Sequence, residues 1–535
     1  MDHPHSTPRP FARLWQLFRP EKRDLWMIVF FALFVSLLSL VIPIGVEALV
    51  STVTFGVAVW PLIWLAGIML LCLGLAGLII AIETWSVELL QRRLFIRVVT
   101  DIAWRLPRLP LPRIMEANGP SLLNRYFEVM TIQKAFSTLV LDGTRLAITI
   151  LVGLVVLAFY HPYLFIFSLG LILFLFILMA LGWGGVQSQI DESAVKYEMA
   201  DWLSDVASNP RIFKTGRGPD FALDRAERIA LEYIDRRSTH FRVVFRQIVF
   251  ALFLYVASSV LLLGLGGYLV ISQQLTIGQL VAAELIVALV VGSFAKLGKY
   301  LDAWYDICTG VEKLAHITDL QVERDDGIAL PASGDGMKLT FSGFGLSQRL
   351  IVKAGTRLAI EANRPRADEL LESLAGLREC DRGLIEVDGY DIVDLQLVEL
   401  RKSVAYVASA ELFTATLYDN LTVGHSFDGD VVRESLQIVG LTERVNAMPA
   451  GMNTSLQTNG HPFTPEEALR FCIARAMLAR PRLMILDGVL DRIDLEQCPE
   501  LLGRLTGNDW PGTLVVVTGK QWVSAPWGQT LTRTQ

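Results

Sequence analysis

The sequence predicts six helices that cross a bilayer, followed by an α/β domain with a parallel sheet. Three observations carry this. A mean hydropathy of +0.44, with 52% hydrophobic residues, is too apolar for an ordinary soluble chain. The excess lies almost wholly before residue 300, in nearly uncharged runs long enough to span a membrane. After that point, short apolar strands alternate with helix-patterned segments. Within the 535 residues this gives an interfacial segment over 1–24, a membrane domain over 25–320, a linker over 321–336 and an α/β domain over 337–535.

At the N-terminus, Phe11, Leu14, Leu17 and Phe18 recur at helical spacing among Arg13, Arg19, Lys22 and Arg23. That pattern suits a short helix lying on the inner membrane surface, with a disordered amphipathic tail as the alternative. No cleavable signal pattern precedes the first apolar run, so that run is expected to direct insertion itself. Spans are expected near Leu25–Leu49, Trp60–Ile82, Ala147–Tyr160, Tyr163–Gly182, Ile248–Ile271 and Ile277–Phe294. The short links Ser51–Ala58, His161-Pro162 and Ser272–Thr276 contain no lysine or arginine. By contrast, Arg92, Arg93, Arg97, Arg105, Arg108, Arg113 and Arg125 crowd the connection after the second run, and Arg211, Lys214, Arg217, Arg236 and Arg237 the one after the fourth. The positive-inside rule then places both connections, the N-terminus and the C-terminal domain in the cytoplasm. Both connections are helical in pattern, so the membrane helices extend below the bilayer.

Glu284 falls inside the sixth run, where an ionisable group faces protein or a water-filled path; a snorkelling or packing role is the other reading. A net charge of −6 excludes a basic nucleic-acid-binding surface as the default. Cys72, Cys308, Cys380, Cys472 and Cys498 have no paired spacing and read as free thiols, without a metal site.

In the α/β domain, strands are expected at Met337–Ser342, Thr356–Ile360, Gly383–Tyr390, Ser403–Val407, Leu483–Asp487 and Thr513–Thr518. Between the second strand and the following helix, Glu361–Glu369 has the strand-loop-helix layout of a phosphate-binding loop. Yet it contains no glycine, lysine, serine or threonine. The groups that cradle phosphate are missing.

This order of elements resembles an ABC exporter half-transporter, a type I exporter-like six-helix domain followed by a nucleotide-binding cassette of the P-loop NTPase fold. The likeness covers nearly the whole chain. In the cassette it is carried by Ala375-Gly-Leu377, Val387-Asp-Gly389, Leu400-Arg401, Leu417-Tyr-Asp-Asn420, Ile473-Ala-Arg-Ala476, Leu486-Asp487 and Asp494. In the membrane domain, Asn124–Lys134, Leu275-Thr-Ile-Gly-Gln279 and Ala283-Glu284 are similar to the type I secretion-like, toxin-exporter branch. The resemblance implies a bacterial inner-membrane protein, a homodimer or a heterodimer with a sister half, coupling segments near Asn124–Lys134 and Ala194–Phe213, a possible periplasmic adaptor, and ATP with magnesium as the family's cofactor.

The positions that would use that cofactor differ. Counted back from Ala375-Gly-Leu377, Ala367 stands where the family has the loop lysine, beside Arg366, Asp368 and Glu369, and Pro365 removes an N–H donor. Ala408-Ser409 replaces the glutamine, Phe463-Thr-Pro-Glu-Glu467 the signature segment, Gly488 the general base and Gly519 the last-strand histidine. Only Asp487 remains, read as a strand-end hydrogen-bond acceptor. Arg364 and Arg366 are the residual candidates for phosphate, opposed by Glu361, Asp368 and Glu369. Glu466 and Glu467 are expected to face a partner's γ-phosphate and oppose closure. No catalytic residue is therefore assigned, and no cofactor. The sequence leaves a degenerate half-transporter beside a non-transporting scaffold or regulator of an export complex, with an ATPase built on other residues as a third reading.

Overall fold

A computed structural model describes residues 13–15, 18–54, 59–116, 125–331, 336–344, 349–361, 367–380, 383–507, 510–519 and 529–531. Arg364, Arg366, Pro365 and Asn124 lie outside the described residues. Two compact units divide the chain, one over 1–109 and 114–321, the other over 110–113 and 322–535.

The first unit is helical: α1 (Lys22–Ser39), α2 (Val41–Thr54), α3 (Val59–Arg105), α4 (Glu128–Ser137), α5 (Thr144–Tyr160), α6 (Pro162–Leu181), α7 (Gly185–Ser208), α8 (Gly218–Ile271) and α9 (Ile277–Thr318). Six stretches among the described residues are long and apolar enough to cross a membrane. The first expected run is two helices, because Pro43 near the start of α2 has no N–H to continue the ladder of α1. With 54 residues, α8 is about 80 Å long, far beyond a hydrocarbon core of about 30 Å, so the helices do extend past the apolar layer. Its core gathers Leu157, Leu164, Leu262, Val287, Val290 and Phe294.

From the interfacial segment, Arg13–Trp15 and Phe18–Asp24 are described. Arg13 pairs with Glu312 and, at 2.7 Å, with Asp319 at the end of α9, while Phe18 stacks on Phe136 of α4 at 4.0 Å. The motif Leu275–Gln279 has a local cause. Thr276 caps α9 by accepting from the Gln279 N–H at 3.1 Å, and the Gln279 side chain accepts from the Thr276 N–H at 3.0 Å. A side chain at Gly278 would meet the Glu47 carbonyl at 3.0 Å. A helix cap and a close helix approach explain this motif without reference to any branch of exporters.

The second unit holds β1 (Leu339–Ser342), β2 (Leu350–Val352), β3 (Arg357–Glu361), α10 (Ala367–Leu374), β4 (Leu384–Val387), β5 (Tyr390–Asp391), α11 (Leu397–Ser403), β6 (Val404–Val407), α12 (Leu417–Thr422), α13 (Gly429–Ile438), α14 (Pro465–Leu478), β7 (Leu483–Asp487), α15 (Pro499–Thr506), β8 (Thr513–Thr518) and β9 (Gln529–Leu531). A parallel sheet runs β9-β3-β8-β7-β6, and an antiparallel sheet runs β2-β1-β4-β5. The apolar runs of β7 and β8 are buried and central, as continuous hydrophobicity requires. Part of the expected linker lies on this unit: Glu323 makes a two-pronged pair with Arg401 at 2.5 and 2.8 Å, and Arg324 reaches the Ile392 and Leu395 carbonyls.

The residues behind the family resemblance have structural work in the cassette. Ala375-Gly-Leu377 closes α10, with Gly376 at φ +67° and the Leu377 N–H on the Glu372 carbonyl at 2.8 Å. Asp388-Gly389 is the two-residue turn joining β4 and β5, both at positive φ. Asn420, fully buried, bonds the Phe413 N–H and carbonyl and the Thr416 carbonyl.

Candidate functional site

In parallel α/β sheets, ligands bind outside the carboxyl ends of the strands. Here those ends are Glu361, Val407, Asp487 and Thr518. Beyond β3, Ala367 opens α10 but is buried among Leu370, Leu371 and Leu374, so this position belongs to the core. Asp368 and Glu369 occupy the first turn of α10. Their charge complements the positive end of the helix dipole, the place a phosphate would take.

At the end of β7, the Asp487 carboxylate accepts a hydrogen bond from the Tyr406 hydroxyl of β6 at 2.9 Å. Burial pushes the Asp487 carboxyl above its ordinary value; the Tyr406 bond and Arg492 pull it back, while Asp368 adds to the rise. Burial, then the Asp487 charge, pushes the Tyr406 hydroxyl up as well. Asp487 thus ties the carboxyl end of β7 to β6.

Gly488 turns at φ +62°, with open space where a side chain would start. Its N–H donates to the Val517 carbonyl of β8 at 3.1 Å, and its carbonyl accepts from Arg492 at 3.2 Å. Arg492 also donates to the Ala408 carbonyl past β6. Asp491 accepts from the Thr518 hydroxyl at 2.7 Å and the Gly519 N–H at 2.6 Å. Arg492 and Asp491 therefore join the carboxyl ends of β6, β7 and β8 laterally. Sequence reasoning missed Tyr406, Asp491 and Arg492; nearness to Asp487 in the chain was the available signal for Asp491 and Arg492, and the end of the expected strand Ser403–Val407 the signal for Tyr406.

At Phe463–Glu467 the acidic residues have local roles. Thr464 caps α14 and Glu467 completes the capping box, accepting from the Thr464 N–H at 2.8 Å. Glu467 also pairs with Arg444 at 3.2 Å. Glu466 accepts the Asp494 N–H at 3.0 Å. Both carboxylates, partly exposed, have partners within their own cassette.

In the helical unit, one Glu284 carboxylate oxygen is buried without a hydrogen-bond partner, and Glu83 of α3, fully buried, pairs with Arg145 of α5 at 2.7 Å. A cavity of about 290 Å³ is lined by Arg125, Tyr197, Asp201, Trp202, Arg225 and Lys313. An apolar cavity of about 860 Å³ lies among Trp15, Phe18, Phe136, Ile150, Phe176 and Trp304. Among the described residues no group of three His, Cys, Asp or Glu side chains could hold a metal ion.

A sequence model of the ABC transporter family matches residues 369–490. The chain is 32% identical over 127 residues to ABC transporter C family member 14 of Dictyostelium discoideum, covering 23% of this chain and 10% of that protein. It is 28% identical over 200 residues to an ATP-dependent lipid A-core flippase of Legionella pneumophila, covering 35% of this chain and 34% of that protein. A similar flippase of Thiobacillus denitrificans is 28% identical over 236 residues, 41% of each chain. These matches span less than half the length of the relatives. A solved structure of a bacterial Atm1-family ABC exporter with ATP bound superimposes with a TM-score of 0.82 at 16% identity, covering 96% of this chain and 94% of that one. The fold is that of an ABC exporter half: six apolar helices, then the cassette.

Proposed function

We propose that the protein is an export-type half-transporter subunit whose cassette is structural and does not bind or hydrolyse ATP. The observation that carries this reading is the set of bonds from Tyr406, Asp491 and Arg492, which occupies the strand ends with partners from the same cassette. Nucleotide would have to displace those bonds, with Ala367 in the core and two acids at the helix start.

In this reading the cassettes stabilise a dimer, of like chains or with a sister half, in the inner membrane with the cassette in the cytoplasm. The apolar cavity suits the hydrocarbon part of an amphipathic molecule, and two relatives carry the name lipid A-core flippase. A type I secretion-like placement and a periplasmic adaptor rest on residue likeness alone. A scaffold or regulator of an export complex would use the same cassette without transport.

Equilibrium binding of a fluorescent ATP analogue with magnesium to the full-length protein tests the central claim, with Ala367→Lys beside it. We expect no saturable binding up to millimolar nucleotide. Saturable micromolar binding, lost when Arg364 and Arg366 are changed together, would make those arginines the phosphate ligands and overturn the reading.

A further inference from the structure

Where α7 and α9 face each other beyond the ends of their apolar runs, several buried oxygens have no donor. The Gln189 side-chain N–H donates to Asp306 Oδ1 at 2.8 Å, tying the two helices together. Around that tie, Gln189 Oε1, Ser193 Oγ and Thr309 Oγ1 are buried and make no hydrogen bond. Ser193 is 5% and Thr309 3% exposed. Gln189 and Ser193 lie one turn apart on α7, as Asp306 and Thr309 do on α9, so each pair shares a helix face with Cβ atoms about 5–6 Å apart. Four oxygen-bearing side chains thus lie within one turn of that bond, two on each helix.

Charged groups surround them. Asp306 is faced by the carboxylates of Asp302 and Glu128 and by the ammonium of Lys196. Lys196 itself lies 3.5 Å from Glu128, which also accepts from the Tyr197 hydroxyl at 2.5 Å. On the α8 side, Glu192 pairs with Arg237 at 2.7 Å, and His240 sits 3.5 Å from Asp302. Asp306 itself is faced by two carboxylates and one ammonium, while Lys313 acts on Glu128 and Arg237 on Asp302.

We propose that Gln189, Ser193, Asp306 and Thr309 form a binding site for a monovalent alkali cation, sodium or potassium. Oxygen ligands suit a hard cation, and one carboxylate with three neutral oxygens suits a single charge; calcium sites recruit more carboxylates, and magnesium keeps several waters. The bound cation gives the unpaired oxygens a partner and holds α7 against α9. The alternative occupant, ordered water, would satisfy the oxygens without regard to salt.

Thermal unfolding of the full-length protein in lipid nanodiscs separates these cases, run at equal ionic strength in sodium, potassium or choline chloride. A cation that binds only the folded state raises the melting temperature with its concentration. We expect a rise of several degrees in one alkali salt over choline. Which salt acts identifies the ion. Asp306→Asn, Thr309→Val and Ser193→Ala should each abolish the salt-specific part. Thr309→Val and Ser193→Ala remove hydroxyls without partners, so their stability in choline should match wild type, and they carry the test if Asp306→Asn does not fold. Equal melting temperatures in all three salts would overturn the proposal, as would salt specificity that survives these substitutions.

Discussion

The strand ends of the cassette and the seam between α7 and α9 are opposite cases of polar bookkeeping. At the strand ends, where the fold leads one to expect a ligand, Asp487, Asp491 and Arg492 are each bonded to a neighbouring strand or loop. In the seam, where no motif points, Gln189, Ser193 and Thr309 each leave a buried oxygen without a partner. Motif position marks where a fold could bind something. Unpaired buried groups mark where this chain has a reason to, because a buried polar atom without a partner carries its full desolvation cost.

The comparison breaks first at Asp491. Its carboxylate accepts two bonds from the far end of β8, so Asp491→Ala should cost about 2 kcal/mol locally, within the range for bonds to a charged group. Amide hydrogen exchange of β7 and β8 in the full-length protein would read that loss. Unchanged protection would mean these bonds do not hold the strand ends, and the case for a self-filled site would fall. In the seam no such loss is expected: Thr309→Val in choline should match wild type.

A smaller effect concerns Gly488. Restoring the family's acid as Gly488→Glu meets no steric obstacle, since nothing lies within 4 Å of the added Cβ, but φ of +62° costs a side chain about 1 kcal/mol. Local exchange near β7 should speed up accordingly, and no ATP hydrolysis should appear. Hydrolysis in this single variant would show that only the general base is missing.

Much of the fold was legible because it rests on patterns with one physical meaning. Long uncharged runs gave the spans, and continuous apolar strands gave the centre of the parallel sheet. The break before Pro43 and the short strand β5 rest on local chemistry that the reading did not use, a missing N–H and a two-residue turn, whereas the placement of Glu323–Arg324 on the cassette was not legible because Arg401 lies 78 positions away. The positions that differ from the family pattern could be read one by one. Their replacements could not: Arg492 joins Ala408, 84 positions away, and no local pattern announces that bond. The same holds for Glu466 and Glu467, whose acidity was visible but whose partners, Asp494 and Arg444, were not.

The smallest effect tests Asp487 by its sign. Burial raises its folded-state pKa above the unfolded value, so protonation favours the folded cassette. The stability linked to this group is full below the unfolded pKa and is lost as pH rises through the folded one. At neutral pH the ionised side chain is therefore a cost, with nothing but Tyr406 and Arg492 to offset it. Asp487→Asn removes the charge and keeps an oxygen to accept from Tyr406. The variant should protect β6 and β7 amides at neutral pH at least as well as wild type, and any advantage should shrink on acidification as the wild-type carboxyl takes up its proton. A residue that held a metal or oriented nucleotide would behave the other way. If Asp487→Asn loosens β7 at neutral pH only when magnesium and nucleotide are present, Asp487 is still a ligand, and the strand ends are a working site in which the bonds to Tyr406 and Arg492 are one of two states.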